Sequence, residues 1–186
     1  MKTQLKKLKK LHPCGEAVVF VGKFETLQEA WNKCERGDWM LWLLGKMSGG
    51  PRSKSRKEVV LIACQCARLS LKYVPKGEKR PLIAIETAEK WVKGEATLQQ
   101  VRDAAYADAD AAYAYADAAY AAAYAAAYAA AAADDAYAYA AYAAYAAAAD
   151  AAAAAAADAA AAAAARSKTL KQCANIVRKY HPKIKI

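Results

Sequence analysis

Leu5, Leu8 and Leu11 recur at i, i+3 and i+6 among the lysines of the first ten residues, the spacing of a short amphipathic basic helix. Residues 17–21 (AVVFV) are apolar without a break, β-branched and bounded by Gly15 and Gly22, which suits one short strand or an extended segment packed on helices. Helical signals follow. Thr26 and Glu29 stand at capping-box spacing and open a helix to about Arg36, with Gly37 as a left-handed stop. Asp38 then caps WMLWLLGK, and residues 45–57 (GKMSGGPRSKSRK) form a cationic loop. Helix resumes near Glu58 and ends near Tyr73, ahead of Pro75 and Gly77. The next helix has Pro81 in its first turn and ends at Gly94, and Thr97 with Gln100 makes a second capping box.

From Thr97 the pattern enters residues 104–165, where 45 of 62 positions are Ala and the others Tyr or Asp. Ala is the strongest helix former, so the segment reads as helix. At 100° per residue from Asp103, the residues Tyr106, Asp110, Tyr113, Asp117 and Tyr120 fall on one stripe, and the other faces are almost pure Ala. Kept in phase to about Tyr180, a single helix runs on the order of 120 Å. The alternative, which we favour, is a turn at Asp134-Asp135 that folds two Ala-rich helices back as a hairpin. The fold class expected is all-α: a helical bundle with an Ala-rich hairpin and a small N-terminal helical subdomain holding the one short strand. Residues 1–57 form the basic, Trp-rich subdomain with its loop, and 58–186 the helical domain with the low-complexity centre.

Charge divides the chain in the same way. Residues 1–100 carry a net +10, residues 101–165 a net −7 and residues 166–186 a net +7. A basic body holding an acidic helical segment suits partners of either sign. The acidic candidates for partner binding are Asp103, Tyr106, Asp110, Tyr113, Asp117 and Tyr120. The basic candidates are Lys6, Lys7, Lys9 and Lys10 in the tail, with Arg52, Lys54, Arg56 and Lys57 in the loop. Nucleic acid ranks below protein as a partner, because the lysines are scattered and no nucleic-acid-binding motif accompanies them. Trp31, Trp39 and Trp42 with their neighbouring leucines read as core; an aromatic binding site there requires an exposed Trp.

Enzymatic chemistry has little to stand on. The only imidazoles, His12 and His181, each adjoin a Pro near a terminus, and no Ser/His/Asp set or phosphate loop is present. Cys64-Gln65-Cys66 has one spacer where zinc pairs have two or more, so no metal and no cofactor is expected. Five cysteines and no signal peptide point to a reducing cytoplasm, and no stretch is apolar enough to span a membrane.

Three segments carry a resemblance: GDWMLWLL (37–44), CARLSLKYVPKGEKRPLIAIETAEKWVKGEATLQQVRDAA (66–105) and KTLKQCANIVRKYHP (168–182), set around the Ala/Tyr/Asp-rich centre. Together they resemble an immunity-protein family of bacteria and phages. The resemblance implies an all-helical, cytoplasmic, non-enzymatic protein that inhibits a toxin or a bacterial defence effector by binding it. It brings no catalytic motif. Inhibitors of nuclease toxins are commonly acidic, whereas here only the helical stripe is, so a basic target points to Asp103, Asp110 and Asp117 and an acidic target to the lysine tail and the loop. The runner-up reading is a self-associating assembly protein of a phage. A helical ice-binding protein ranks lower, since regular Thr is absent between residues 98 and 168.

Overall fold

A computed structural model of the protein describes residues 2–50, 52–69, 71–73, 76–114 and 159–186. Eight α-helices lie among them: α1 (Lys2–Lys9), α2 (Gly15–Gly22), α3 (Leu27–Lys33), α4 (Gly37–Met47), α5 (Lys54–Arg68), α6 (Arg80–Lys93), α7 (Leu98–Ala114) and α8 (Ala159–Tyr180). A 3-10 turn at Leu71–Tyr73 follows α5, and no strand is present among the described residues. The fold is all-α. The turn expected at Asp134-Asp135, and with it the Ala-rich hairpin, falls outside the described residues.

Local signals place several boundaries. Thr26 Oγ1 accepts the Glu29 amide at 3.0 Å and starts α3, while the Glu29 carboxylate reaches back to the Glu25 amide at 3.1 Å. The second capping box is reciprocal: Thr97 Oγ1 accepts the Gln100 amide at 3.2 Å, and Gln100 Oε1 accepts the Thr97 amide at 2.8 Å. Pro81 occupies the first turn of α6, and Gly94 ends that helix in the left-handed region with φ 86°.

Several expectations change: Asp38 lies inside the first turn of α4 and does not cap it, and α5 runs from Lys54 to Arg68 where a helix from about Glu58 to Tyr73 was expected. Residues 17–21 belong to helix α2, not to a strand. A lone strand would leave its backbone N–H and C=O groups without partners, whereas a helix pairs them internally; Ala17 and Val21, one turn apart, then face the core. Gly37 does not stop α3. That helix ends at Lys33, and Gly37 instead begins α4, where α8 crosses so closely that a Cβ on Gly37 would lie 2.4 Å from Cys173 Cβ and 2.7 Å from the Ala174 amide nitrogen.

The core is built around α5. From Val59 to Ala67 it is buried at seven positions, with only Leu61 and Gln65 in part accessible. It packs on α4, α6 and α8, and α6 turns through Gly94 to pack along α7. Small residues line these crossings: Ala63, Cys64, Cys66, Ala67, Ala88, Cys173 and Ala174 are all fully buried. Met40, Leu41, Ile62, Ile85, Val101 and Val177 fill the space between them. Residues before and after 57 share this core, since the packed cluster runs from Leu8 to Ile184.

The C-terminal segment is tied to the N-terminal helices by directed bonds. Trp31 Nε1 donates to the His181 carbonyl at 2.8 Å, and Gln28 both donates to the Pro182 carbonyl at 3.0 Å and accepts the Ile184 amide at 2.9 Å. From α8, Arg178 Nη1 donates to the Cys34 carbonyl at 2.5 Å and to the Trp31 carbonyl at 3.3 Å, which also accepts the Cys34 amide at 3.4 Å, so the end of α3 is bonded to α8.

Candidate functional site

The start of the acidic stripe is turned outward. On α7, Val101 and Ala105 are buried in the core, while Asp103 is exposed and Tyr106 is 69% accessible. Gln99 Nε2 donates to Asp103 Oδ1 at 2.8 Å, one turn away. Asp110 and Tyr113 continue along the α7 backbone, but their side chains lie outside the described residues, as do Asp117 and Tyr120 altogether.

The basic candidates separate into two groups. Lys6, Lys7, Lys9 and Lys10 are exposed around a buried Leu8, and Lys7 Nζ donates to the Ile186 carbonyl at 3.0 Å. In the second group, Arg52 and Lys54 are exposed, whereas Lys57 is half-buried with Nζ 5.7 Å from the Trp91 ring. Arg56 is buried. Its Nε donates to the Gly49 carbonyl at 3.0 Å and its Nη1 to the Gly45 carbonyl at 3.4 Å, so it closes the C-terminal end of α4 rather than facing a partner. The loop is correspondingly short: α4 extends to Met47, and Ser53 caps α5 by accepting the Arg56 amide at 3.1 Å.

The tryptophan cluster contains both core and surface. Trp31 is buried, but Trp39 and Trp42 are half-buried and, with Phe20, line a cleft of about 380 Å³ between the first four helices. The Phe20 and Trp39 rings meet tilted at 59° with centroids 5.8 Å apart, a favoured aromatic geometry. Each of the two tryptophans also carries a cation: Arg36 Cζ lies 4.4 Å from the Trp39 centroid, and Lys46 Nζ lies 5.9 Å from that of Trp42. Asp38, in the first turn of α4, lines the same cleft, and both its oxygens accept from Arg36, at 2.8 Å from Nε and 2.5 Å from Nη2. That bond raises the Arg36 pKa further, while burial lowers that of Lys46. The exposed Glu16 lies 3.7 Å from Arg36 on its other side. In sequence, the clue to this cleft is the spacing of Trp39 and Trp42, which puts both rings on one helical face.

The thiols are packing groups with one exception. Cys34, Cys64, Cys66 and Cys173 are buried and Cys14 is exposed. Burial pushes the Cys34 thiol up to about 11 and raises that of Cys64, and the Cys66 thiol is raised first by its hydrogen bond with Cys173 and then by burial. Iodoacetamide at pH 8 is therefore expected to modify Cys14 alone in the native protein and all five cysteines in denaturant, as read by intact mass and peptide mapping. A second buried cysteine labelled at the rate of Cys14 would show that its helix opens.

The half-buried His181 has, at its Nε2, the one buried side-chain nitrogen or oxygen without a hydrogen-bond partner among the described residues, 3.8 Å from Glu58 Oε1. No group of three or more His, Cys, Asp or Glu side chains among the described residues is placed to hold a metal ion, and no described helix is long and apolar enough to cross a membrane. Comparison with protein-family models, with curated proteins and with solved structures finds no match to this chain.

Proposed function

We propose that the protein is a non-enzymatic inhibitor of the immunity type, which neutralises a toxin or a defence effector by binding it through the acidic, tyrosine-bearing face that begins on α7. The observation that carries this reading is the exposure of Asp103 and Tyr106 opposite the buried Val101 and Ala105. A carboxylate and a large amphipathic ring held outward on a helix anchored in the core are suited to a cationic protein surface, because Tyr supplies contact area at low entropic cost and carboxylates steer association. The three segments that resemble the immunity family lend support. Five free thiols suit a reducing compartment such as the cytoplasm. The loop candidates fit less well as a docking surface, since Arg56 is committed to α4 and Lys57 lies against Trp91.

Affinity purification of the tagged full chain from its native host, at low and high salt, tests the proposal. One stoichiometric protein partner is expected, lost at high salt and lost when Asp103, Asp110 and Asp117 are changed to Lys. Recovery of the protein alone as an oligomer would move the reading to self-assembly.

A further inference from the structure

Lysines that are scattered along the sequence are gathered by the fold. We propose that α1 and the segment after α8 form one basic face, separate from the acidic face of α7, that binds the phosphate backbone of nucleic acid without regard to base sequence.

Two distant parts of the chain build this face. On α1, Leu5 and Leu8 pack on the core, and Gln4 Oε1 accepts the Leu27 amide at 3.2 Å, which fixes the helix against α3. At 100° per residue, Lys6 and Lys10 then fall on the side away from the leucines and Lys9 on the flank, and all three are exposed. The segment after α8 is held to the same region. Gln28 bonds both the Pro182 carbonyl and the Ile184 amide, Ile184 is buried in the cluster that contains Leu8, and Lys7 Nζ donates to the Ile186 carbonyl, 179 positions away in the chain. Lys183 and Lys185 flank the buried Ile184 and are exposed. Lys7 is thus the strap, while Lys6, Lys9, Lys10, Lys183 and Lys185 form no ion pair among the described residues. Glu25 and Glu29, on either side of Leu27 and Gln28, and Glu58 beside His181 border the face; six lysines against three carboxylates leave it at +3.

Nothing apolar accompanies this charge. The large hydrophobic side chains exposed among the described residues are Val19, Met47, Ile83 and Tyr106, none of them on α1 or after α8. Protein interfaces are depleted in lysine and rely on aromatic or arginine anchors, which are absent from this face. Insertion into a bilayer needs the leucines of α1, and these are committed to the core. Exposed lysines by themselves suit a dense row of phosphates, where each contact releases condensed counterions and adds affinity without reading a base.

The test is titration of a short fluorescein-labelled DNA duplex with the full chain, read by anisotropy from about 50 to 200 mM salt. Saturable binding is expected, equal within about twofold for a duplex of unrelated sequence, with log K falling linearly against log salt at a slope between about −2.7 and −4.5, the range for three to five neutralised phosphates. Lys6→Gln with Lys10→Gln should weaken binding at least about tenfold at the lower salt and make the slope shallower by about 1.8. Lys183→Gln with Lys185→Gln should do the same, because the fold places both pairs on one face. Lys90→Gln with Lys93→Gln, at exposed positions of α6, should leave affinity and slope unchanged, and melting curves of the three variants should match the parent. No saturable binding, a slope near zero, no effect of the Lys183 and Lys185 pair, or an equal loss in the α6 variant would overturn the proposal. So would polyglutamate or phosphatidylglycerol vesicles binding as tightly as the duplex, which would make the partner an acidic protein or an anionic bilayer.

Discussion

Gly37→Val is expected to prevent the helices from closing into the native core, and Gly37→Ala to destabilise it by about 1–3 kcal/mol. Elsewhere in a helix the Gly-to-Ala change gains roughly 0.5–1 kcal/mol from propensity. Here sterics outweigh that gain, because the added carbon would meet Cys173 Cβ at 2.4 Å and the backbone nitrogen of Ala174 at 2.7 Å. Neither atom is the end of a flexible side chain, so relief requires α4 and α8 to separate. For a chain of this size the Ala variant should melt roughly 2–4 °C lower for each kcal/mol lost. Adding Cys173→Gly to Gly37→Ala should restore part of the loss, since it removes the nearest clashing atom and leaves two backbone atoms, Ala174 N at 2.7 Å and Cys173 C at 2.9 Å. A Gly37→Ala protein that melts at or above the parent temperature would show that the crossing is looser than described.

The second large effect is asymmetric across one ion pair. Asp38 has a side chain 7% accessible, and Arg36 one 32% accessible. Removing the arginine strands a buried carboxylate, whereas removing the aspartate leaves a guanidinium that can turn to solvent and to Glu16. Arg36→Met is therefore expected to cost about 3 kcal/mol, at the lower end of what breaking a buried pair costs because one partner is partly wet. Asp38→Leu should cost less. The double variant, Arg36→Met with Asp38→Leu, should recover most of the loss, measured by urea unfolding of all four proteins. Equal single effects that simply add would mean the pair acts as two independent surface charges.

At both ends of α6 and at the start of α7 the determinants were local and legible in the sequence, whereas the cap read at Asp38 was not the one the helix uses. Pro81 and Gly94 bound α6, Thr97 with Gln100 starts α7, and the outward turn of Asp103 and Tyr106 follows from helical phase against Val101 and Ala105. The misreadings share a different cause. A glycine that stops a helix and a glycine that lets another helix approach are the same letter, and only Cys173, far along the chain, distinguishes them at Gly37. Arg56 read as loop charge because the carbonyls of Gly45 and Gly49 that bury it are not visible as a pattern. Residues 17–21 are β-branched, but strand formation depends on a neighbouring edge, and the environment around them is helical. The tryptophans read as core; all three line the cleft, and what buries Trp31 while leaving Trp39 and Trp42 half-buried is the packing of α1–α3 over one side of α4, a tertiary property.

The anchoring of α7 and α8 ties both flanks of the Ala-rich stretch to one interior. Val101 and Ala105 on one side of the Ala-rich stretch, and Cys173, Ala174 and Val177 on the other, belong to the same packed interior. The course of the chain out along α7 and back along α8 is therefore set by the same packing that holds α4, α5 and α6 together.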